Sequence, residues 1–181
     1  MSRKDDSLPV GINLALRYCM YSKKIVKNYM HPLDKYCYIN EDDSIHKALV
    51  LMDEIRKESK SLCLVVLGAG SSERETIKGF VTPSELVFGL LSHFLKGVQR
   101  SGPIFWEGQF ETECLEGVKK RVEEIMLPIK TYVRGSEMLM EAVFLLDKYR
   151  MDFLPVVNKD EVVGIIHLDD ILEEIYGIIL K

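Results

Sequence analysis

The sequence has no CxxC pair. Its four cysteines, Cys19, Cys37, Cys63 and Cys114, are scattered over 181 residues. That argues against a structural zinc site or a disulfide framework and for reduced thiols in a cytoplasmic setting. Neither charge sign is in large excess: the formal net charge is −4, so electrostatics make no case for a nucleic-acid partner. No apolar run approaches the roughly 20 residues that span a bilayer, and no membrane association is expected. The opening MSRKDDSLPV lacks an apolar stretch behind its basic residues, so a signal peptide is not expected either. Catalytic signatures are missing too. There is no Gly-x-Ser-x-Gly elbow to activate a serine. The glycine-containing stretch from Gly68 to Glu75 is followed by no Lys-Ser/Thr pair and leads into a strand-like run, whereas a phosphate loop leads into a helix. It reads as a lengthened hairpin turn. His31, His46 and His93 stand in unrelated contexts.

What is present is a pattern of short apolar runs. Leu154-Pro155-Val156-Val157 and Val162-Val163-Gly164-Ile165-Ile166 flank the polar turn Asn158-Lys159-Asp160-Glu161. β-Branched runs bounded by turn residues predict a hairpin. The glycine inside the second run predicts a bulge or a close backbone approach. His167, Asp169 and Asp170 follow, then Ile171, Leu172, Ile175 and Tyr176 at helical spacing. The acids fall in the first turn of that helix, where they complement its dipole. As metal ligands they are poorly placed, because adjacent aspartates on a helix diverge and no second cluster supports them.

The same order occurs earlier. Leu64-Val65-Val66-Leu67, a polar loop and Ile77-Lys78-Gly79-Phe80-Val81-Thr82-Pro83-Ser84-Glu85-Leu86 match it, with Gly79 answering Gly164, Thr82 answering His167 and Glu85 answering Asp170. Upstream, Ser44–Leu49 answers Met138–Val143, and Val26, Met30 and Pro32 answer Val122, Met126 and Pro128. The chain is an internal duplication. Each copy predicts a strand, a helix, a strand hairpin and a second helix. The first copy has a strand at Tyr36–Ile39, a helix capped by Asp43 or Ser44 and running to about Glu58, and a closing helix from Ser84 to about Lys96. The second has a strand at Thr131–Val133 and a helix from Glu137 to Tyr149.

Met126-x-Pro128, the Ala142 helix, Pro155-Val156-Val157 and Gly164-Ile165-Ile166-x-x-x-Asp170, in this order and present twice, resemble a tandem pair of cystathionine-β-synthase-type (CBS) domains, the Bateman regulatory module. The resemblance covers roughly residues 25–92 and 120–177. It implies an α+β fold of two βαββα repeats related by a pseudo-twofold axis. The organisation expected is an N-terminal helical extension at 1–24, a first repeat at 25–96, a linker at 97–120 and a second repeat at 121–181. Phe105, Trp106 and Phe110 in the linker are expected to pin it to the module, or else to offer a partner surface.

The resemblance also implies a stand-alone regulatory module that binds an adenine nucleotide or related adenosyl compound (AMP, ADP, ATP or S-adenosylmethionine) in clefts between the repeats and signals occupancy to a protein partner. A carboxylate can accept two hydrogen bonds from vicinal ribose hydroxyls. A hydroxyl or imidazole beside free N–H groups at a helix start suits a phosphate. By the family's motif, Asp170 holds ribose and His167 takes the phosphate side, with Thr131, Tyr132, Val133 and Pro155 lining the base pocket. In the first copy Thr82 and Glu85 take the two polar roles and Ile39 and Leu64 are walls. His167 departs from the usual Ser/Thr, and Glu85 is one methylene longer than the usual Asp. A ligand-free interaction scaffold on the same fold is the alternative, and an enzyme the third reading. No cofactor is required by either of the first two. The apolar surplus on Leu86–Leu95 and Ile171–Ile179 predicts a homodimer.

Overall fold

The computed structural model describes residues 23–58, 61–68, 76–93 and 107–180. The expectations for the N-terminal extension before residue 23, the loop at 69–75, Phe105, Trp106 and the end of the helix begun at Ser84 lie outside the described residues. The chain divides into two compact units. One holds residues 31–132, and the other joins the stretch up to residue 30 with 133–181.

In the 31–132 unit, strand β1 (Cys37–Asn40) leads to helix α1 (Ile45–Lys57). Ser44 starts that helix by accepting the Lys47 N–H at 3.3 Å, which satisfies one orphan donor of its first turn. Ile45, Ala48, Met52 and Ile55 recur on one face and are buried. The helix returns the chain so that β2 (Leu64–Leu67) lies parallel to β1, and β3 (Ile77–Val81) folds back antiparallel. The two-residue strand β4 (Leu127–Pro128) adds to the outer side of β3. Gly79 permits that addition, since a Cβ there would stand 2.4 Å from the Leu127 carbonyl oxygen. The close approach foreseen for Gly164 is thus found at its counterpart Gly79, where the neighbour is β4. The sheet order is β1-β2-β3-β4. Helix α2 (Pro83–Leu90) completes the repeat and contributes Leu86 to the core.

The stretch expected as a linker contains a helix, α3 (Gln109–Gly117). It docks on α2 through small and polar groups. A Cβ on Gly117 would meet the Leu90 carbonyl oxygen at 2.6 Å. Lys120 donates to Gly89 O at 2.8 Å and Ser92 Oγ at 2.7 Å, supplying the cation that a helix C-terminus favours. Glu113, 6% exposed, accepts from Gln109 Nε2 at 3.1 Å and lies 3.4 Å from His93 Nδ1. Phe110 is 62% exposed, so the pinning expected of it falls instead to Gly117 and Lys120.

The other unit repeats the order. Strand β5 (Val133–Arg134), helix α4 (Leu139–Tyr149), strands β6 (Phe153–Asn158) and β7 (Glu161–His167) and helix α5 (Leu168–Ile179) follow one another. β5 is parallel to β6, and β6 and β7 form the foreseen hairpin. The register of that hairpin shifts between Val156 and Val157, opposite Gly164. Val26, Val133, Ala142, Leu154, Val156 and Ile166 fill its core at 0% exposure. Each unit is an α+β body with the β-α-β-β-α order that the duplication predicts.

The units do not follow the repeat boundaries expected from the sequence. Val26 N–H donates to Glu137 O and Lys27 N–H to Gly135 O, both at 3.0 Å. Lys24 pairs with Glu174 of α5. Burial and a bond to the same Glu174 raise the Tyr29 phenol above its usual pKa. Conversely, Val122 N–H donates to Asp43 O at 2.9 Å and β4 joins the first sheet. The lead-in to each repeat therefore packs with the other. Among the described residues, no helix is long and apolar enough to cross a membrane.

Candidate functional site

Both repeats end their hairpin at a helix N-cap. Thr82 and His167 are in extended conformation, which turns the chain into α2 and α5. Three residues on, a carboxylate reaches back in each case. The Asp170 Oδ2 accepts the His167 N–H at 2.8 Å. The Glu85 Oε2 accepts the Thr82 N–H at 3.1 Å and also the Thr82 hydroxyl. Thr82 Oγ1 in turn accepts the Ser84 N–H at 3.3 Å. These are capping boxes. The paired positions read from the sequence are thus brought together in each repeat, and each acid is oriented by its own helix start. The extra methylene of Glu85 lets it fold onto the threonine hydroxyl, and both bonds fall on Oε2. The His167 ring lies 5.9 Å from the Phe153 ring, tilted by 40°.

The expected wall residues divide. Ile39, Leu64 and Val133 are 2%, 0% and 0% exposed. Ile39 and Leu64 belong to one hydrophobic core and Val133 to the other, so they support the strands from behind and present almost no surface to a ligand. The reason is the strand period: side chains alternate between faces, and these three point into the core. Pro155 is buried in β6 opposite Ile165. Thr131 and Tyr132 precede β5, with Tyr132 44% exposed.

Cys63, which precedes β2, is 1% exposed. Burial first, and the nearby Glu85 charge second, push its thiol from the usual 9.0 up to about 12. A thiol so placed is a core residue. Among the described residues, no group of three or more His, Cys, Asp or Glu side chains is arranged to hold a metal ion.

The sequence reading missed a cavity of about 230 Å³ lined by His31, Lys35, Tyr36 and Ser61, all in the 31–132 unit. Pockets that enclose a whole drug-sized ligand are about 300–1,000 Å³, so this one has room for part of such a molecule. His31 and Lys35 lie around the short helical turn Leu33–Lys35, a connection with no periodicity from which to foresee a cavity.

The model of the CBS domain matches residues 122–177. Residues 122–177 are a CBS domain. Solved structures extend the CBS fold to the chain as a whole. The CBS-pair protein CBSX2 from Arabidopsis thaliana is 21% identical, with a TM-score of 0.61 over 88% of this chain and 99% of that one. The CBS domain pair of protein MJ0100, in complex with 5′-methylthioadenosine and S-adenosyl-L-methionine, is 19% identical, with a TM-score of 0.58 over 84% and 96%. CBSX2 has also been solved with AMP, and superposes at a TM-score of 0.58 with 21% identity over 85% and 97%. No curated protein matches the sequence. The chain has the fold of a tandem CBS-domain pair, and the earlier copy, outside the matched range, carries the same β-α-β-β-α order.

Proposed function

We propose that this CBS pair is a regulatory module that binds an adenine nucleotide or a related adenosyl compound and passes its occupancy to a protein partner. The observation that carries the reading is the pair of capping carboxylates, Asp170 and Glu85. Each is held in one place by its own N-cap N–H. A carboxylate fixed before the ligand arrives loses little freedom on binding, and it can accept from ribose hydroxyls. AMP in CBSX2, and 5′-methylthioadenosine with S-adenosyl-L-methionine in MJ0100, share an adenosine core, which supports the same class of ligand here. Occupancy would shift a conformational equilibrium only by the ligand's differential affinity for its two states. No cofactor or catalytic step is part of the proposal.

Thermal melting with AMP, ADP, ATP and S-adenosylmethionine tests this. At about 100 times the dissociation constant, linkage supplies about 2.7 kcal/mol, a rise of roughly 5–11 °C for a chain of this size. Asp170→Ala removes a capping bond and lowers the unliganded melting temperature by about 2–4 °C, for about 1 kcal/mol. The ligand-dependent rise above that new baseline should be mostly lost. A 2′-deoxy nucleotide should bind wild type more weakly than the ribose form does, and the variant should not discriminate. Glu85→Ala should matter less, since its carboxylate is already turned onto Thr82. Unchanged binding by Asp170→Ala would remove the ribose assignment.

An interaction scaffold is the second reading, favoured by the exposed apolar positions on α5, where Tyr176 is 52% and Ile179 70% exposed. If no adenosyl compound shifts the wild type, that reading takes over.

A further inference from the structure

Helix α4 carries an exposed apolar stripe. Met140 and Phe144 lie four residues apart, on one helix face, and are 71% and 56% exposed. Met138 at the N-cap and Tyr149 in the last turn are 50% and 45% exposed. Lys148 closes the far end of the stripe, with its ammonium 5.7 Å from the centre of the Phe144 ring and 5.1 Å from that of Tyr149. The near end is where the N-terminal part of the chain arrives. The Leu139 N–H donates to Lys24 O at 2.7 Å, Ile25 forms an antiparallel bridge with Met138, and Lys24 pairs with Glu174 of α5.

The described residues begin at residue 23, so the sequence before it leads away from the start of this stripe. In that sequence Ile12, Ala15, Leu16, Cys19 and Met20 follow the i, i+3, i+4, i+7, i+8 spacing of an amphipathic helix, with Asn13 and Arg17 off the stripe. As a helix, Ile12 to Ser22 is about 16 Å long, the length of α4 itself. With Lys24 level with Leu139 and the two helices antiparallel, Met20 falls between Met140 and Phe144, and Leu16 falls beyond Phe144.

We propose that residues 12–22 form a helix that lies antiparallel on the Met140–Phe144 stripe of α4 in the same chain. The segment continues the interface that residues 24–30 already make with this repeat. A protein partner that uses this face of α4 has to displace it.

Amide hydrogen exchange of the full chain tests this, with maleimide labelling of Cys19 as a second readout. Residues 12–22 should exchange at least about 10-fold more slowly than an unfolded chain, and Cys19, on the docked side, should label about 10-fold or more slowly than an exposed thiol. Phe144→Glu puts a charge on the stripe, where docking would bury it unpaired. It should abolish both protections while β6 and β7 keep theirs, and Phe144→Leu should preserve all of them. Met140→Glu, at the more exposed position, gives the same reading should Phe144→Glu fail to fold. Residues 12–22 unprotected in wild type would overturn the proposal. So would protection that survives both charges, which would place the segment elsewhere. Protection that appears only at concentrations where the chain dimerises would assign the stripe to a second copy, and it too overturns the proposal.

Discussion

Cys63 shows how one side chain's surroundings change its chemistry. In water its thiol ionises near the alkaline end of the physiological range, but in the core it stays protonated up to about pH 12. Folding therefore favours the protonated thiol. Its contribution to stability is complete below the unfolded value of 9.0 and is lost as pH climbs from there to about 12. Within that window the loss approaches about 1.4 kcal/mol per pH unit. Urea unfolding at pH 9 and pH 11 should show a steeper decline for wild type than for Cys63→Ala, even though the variant starts less stable from its cavity. Parallel declines would mean that the thiol is not what titrates. The same residue is legible in the sequence only as one of four scattered cysteines. Its burial comes from β2 being covered on both faces: Leu64, Val65 and Val66 beside it are all 0% exposed.

Among the elements, the β6–β7 hairpin was the most legible, because two β-branched runs flank a polar tetrad. The backbone of its turn was not. Lys159 and Asp160 both take positive φ, 50° and 68°, as the two-residue loop of a right-twisted hairpin requires. Neither residue is glycine or asparagine, the types that accept this conformation most readily. Asp160→Gly should raise stability by about 0.5–1 kcal/mol, the relief being partly offset by the entropy of an unfolded glycine. That corresponds to a melting rise of about 1–4 °C, and differential scanning calorimetry reads it directly. A lower melting temperature would show that the aspartate side chain contributes more than its backbone costs. Helix α3 is the opposite case. Its sequence, QFETECLEG, has a weak apolar face, and what holds it is the close approach of Gly117 to Leu90.

For the whole molecule, the open question is what covers α5. Leu168, Leu172, Ile175, Tyr176 and Ile179 follow the i, i+4, i+7, i+8, i+11 pattern of one helix face, and each is between 41% and 70% exposed. Val87 and Phe88 on α2 are 50% and 62% exposed. Soluble chains seldom leave such surface bare, and a second copy is the occupant the sequence predicts. Sedimentation at tens of micromolar should show a dimer, and Ile175→Asp should shift it to monomer without unfolding it. Leu90 would be the wrong place for that test, since it packs against the core of its own unit and a charge there should unfold the chain. A monomeric wild type, with and without nucleotide, would remove the homodimer.

The sequence by itself determined the main strands and helices of each repeat and the polar positions at their helix starts, but not helix α3 or strand β4. Strand, helix and cap preferences are local, and the duplication repeats each signal, so Thr82 with Glu85 and His167 with Asp170 could be found from spacing alone. Only the tertiary structure decided which side of each strand faces the core. The family's motif offered Ile39, Leu64 and Val133 as walls but says nothing of strand facing, an apolar run such as Leu64–Leu67 has no alternation to read, and all three are core. The tertiary structure also decided that residues 24–30 pack with the second repeat and 122–128 with the first. These are long-range hydrogen bonds between backbone groups, and a backbone amide carries no mark in the sequence of the partner it will find.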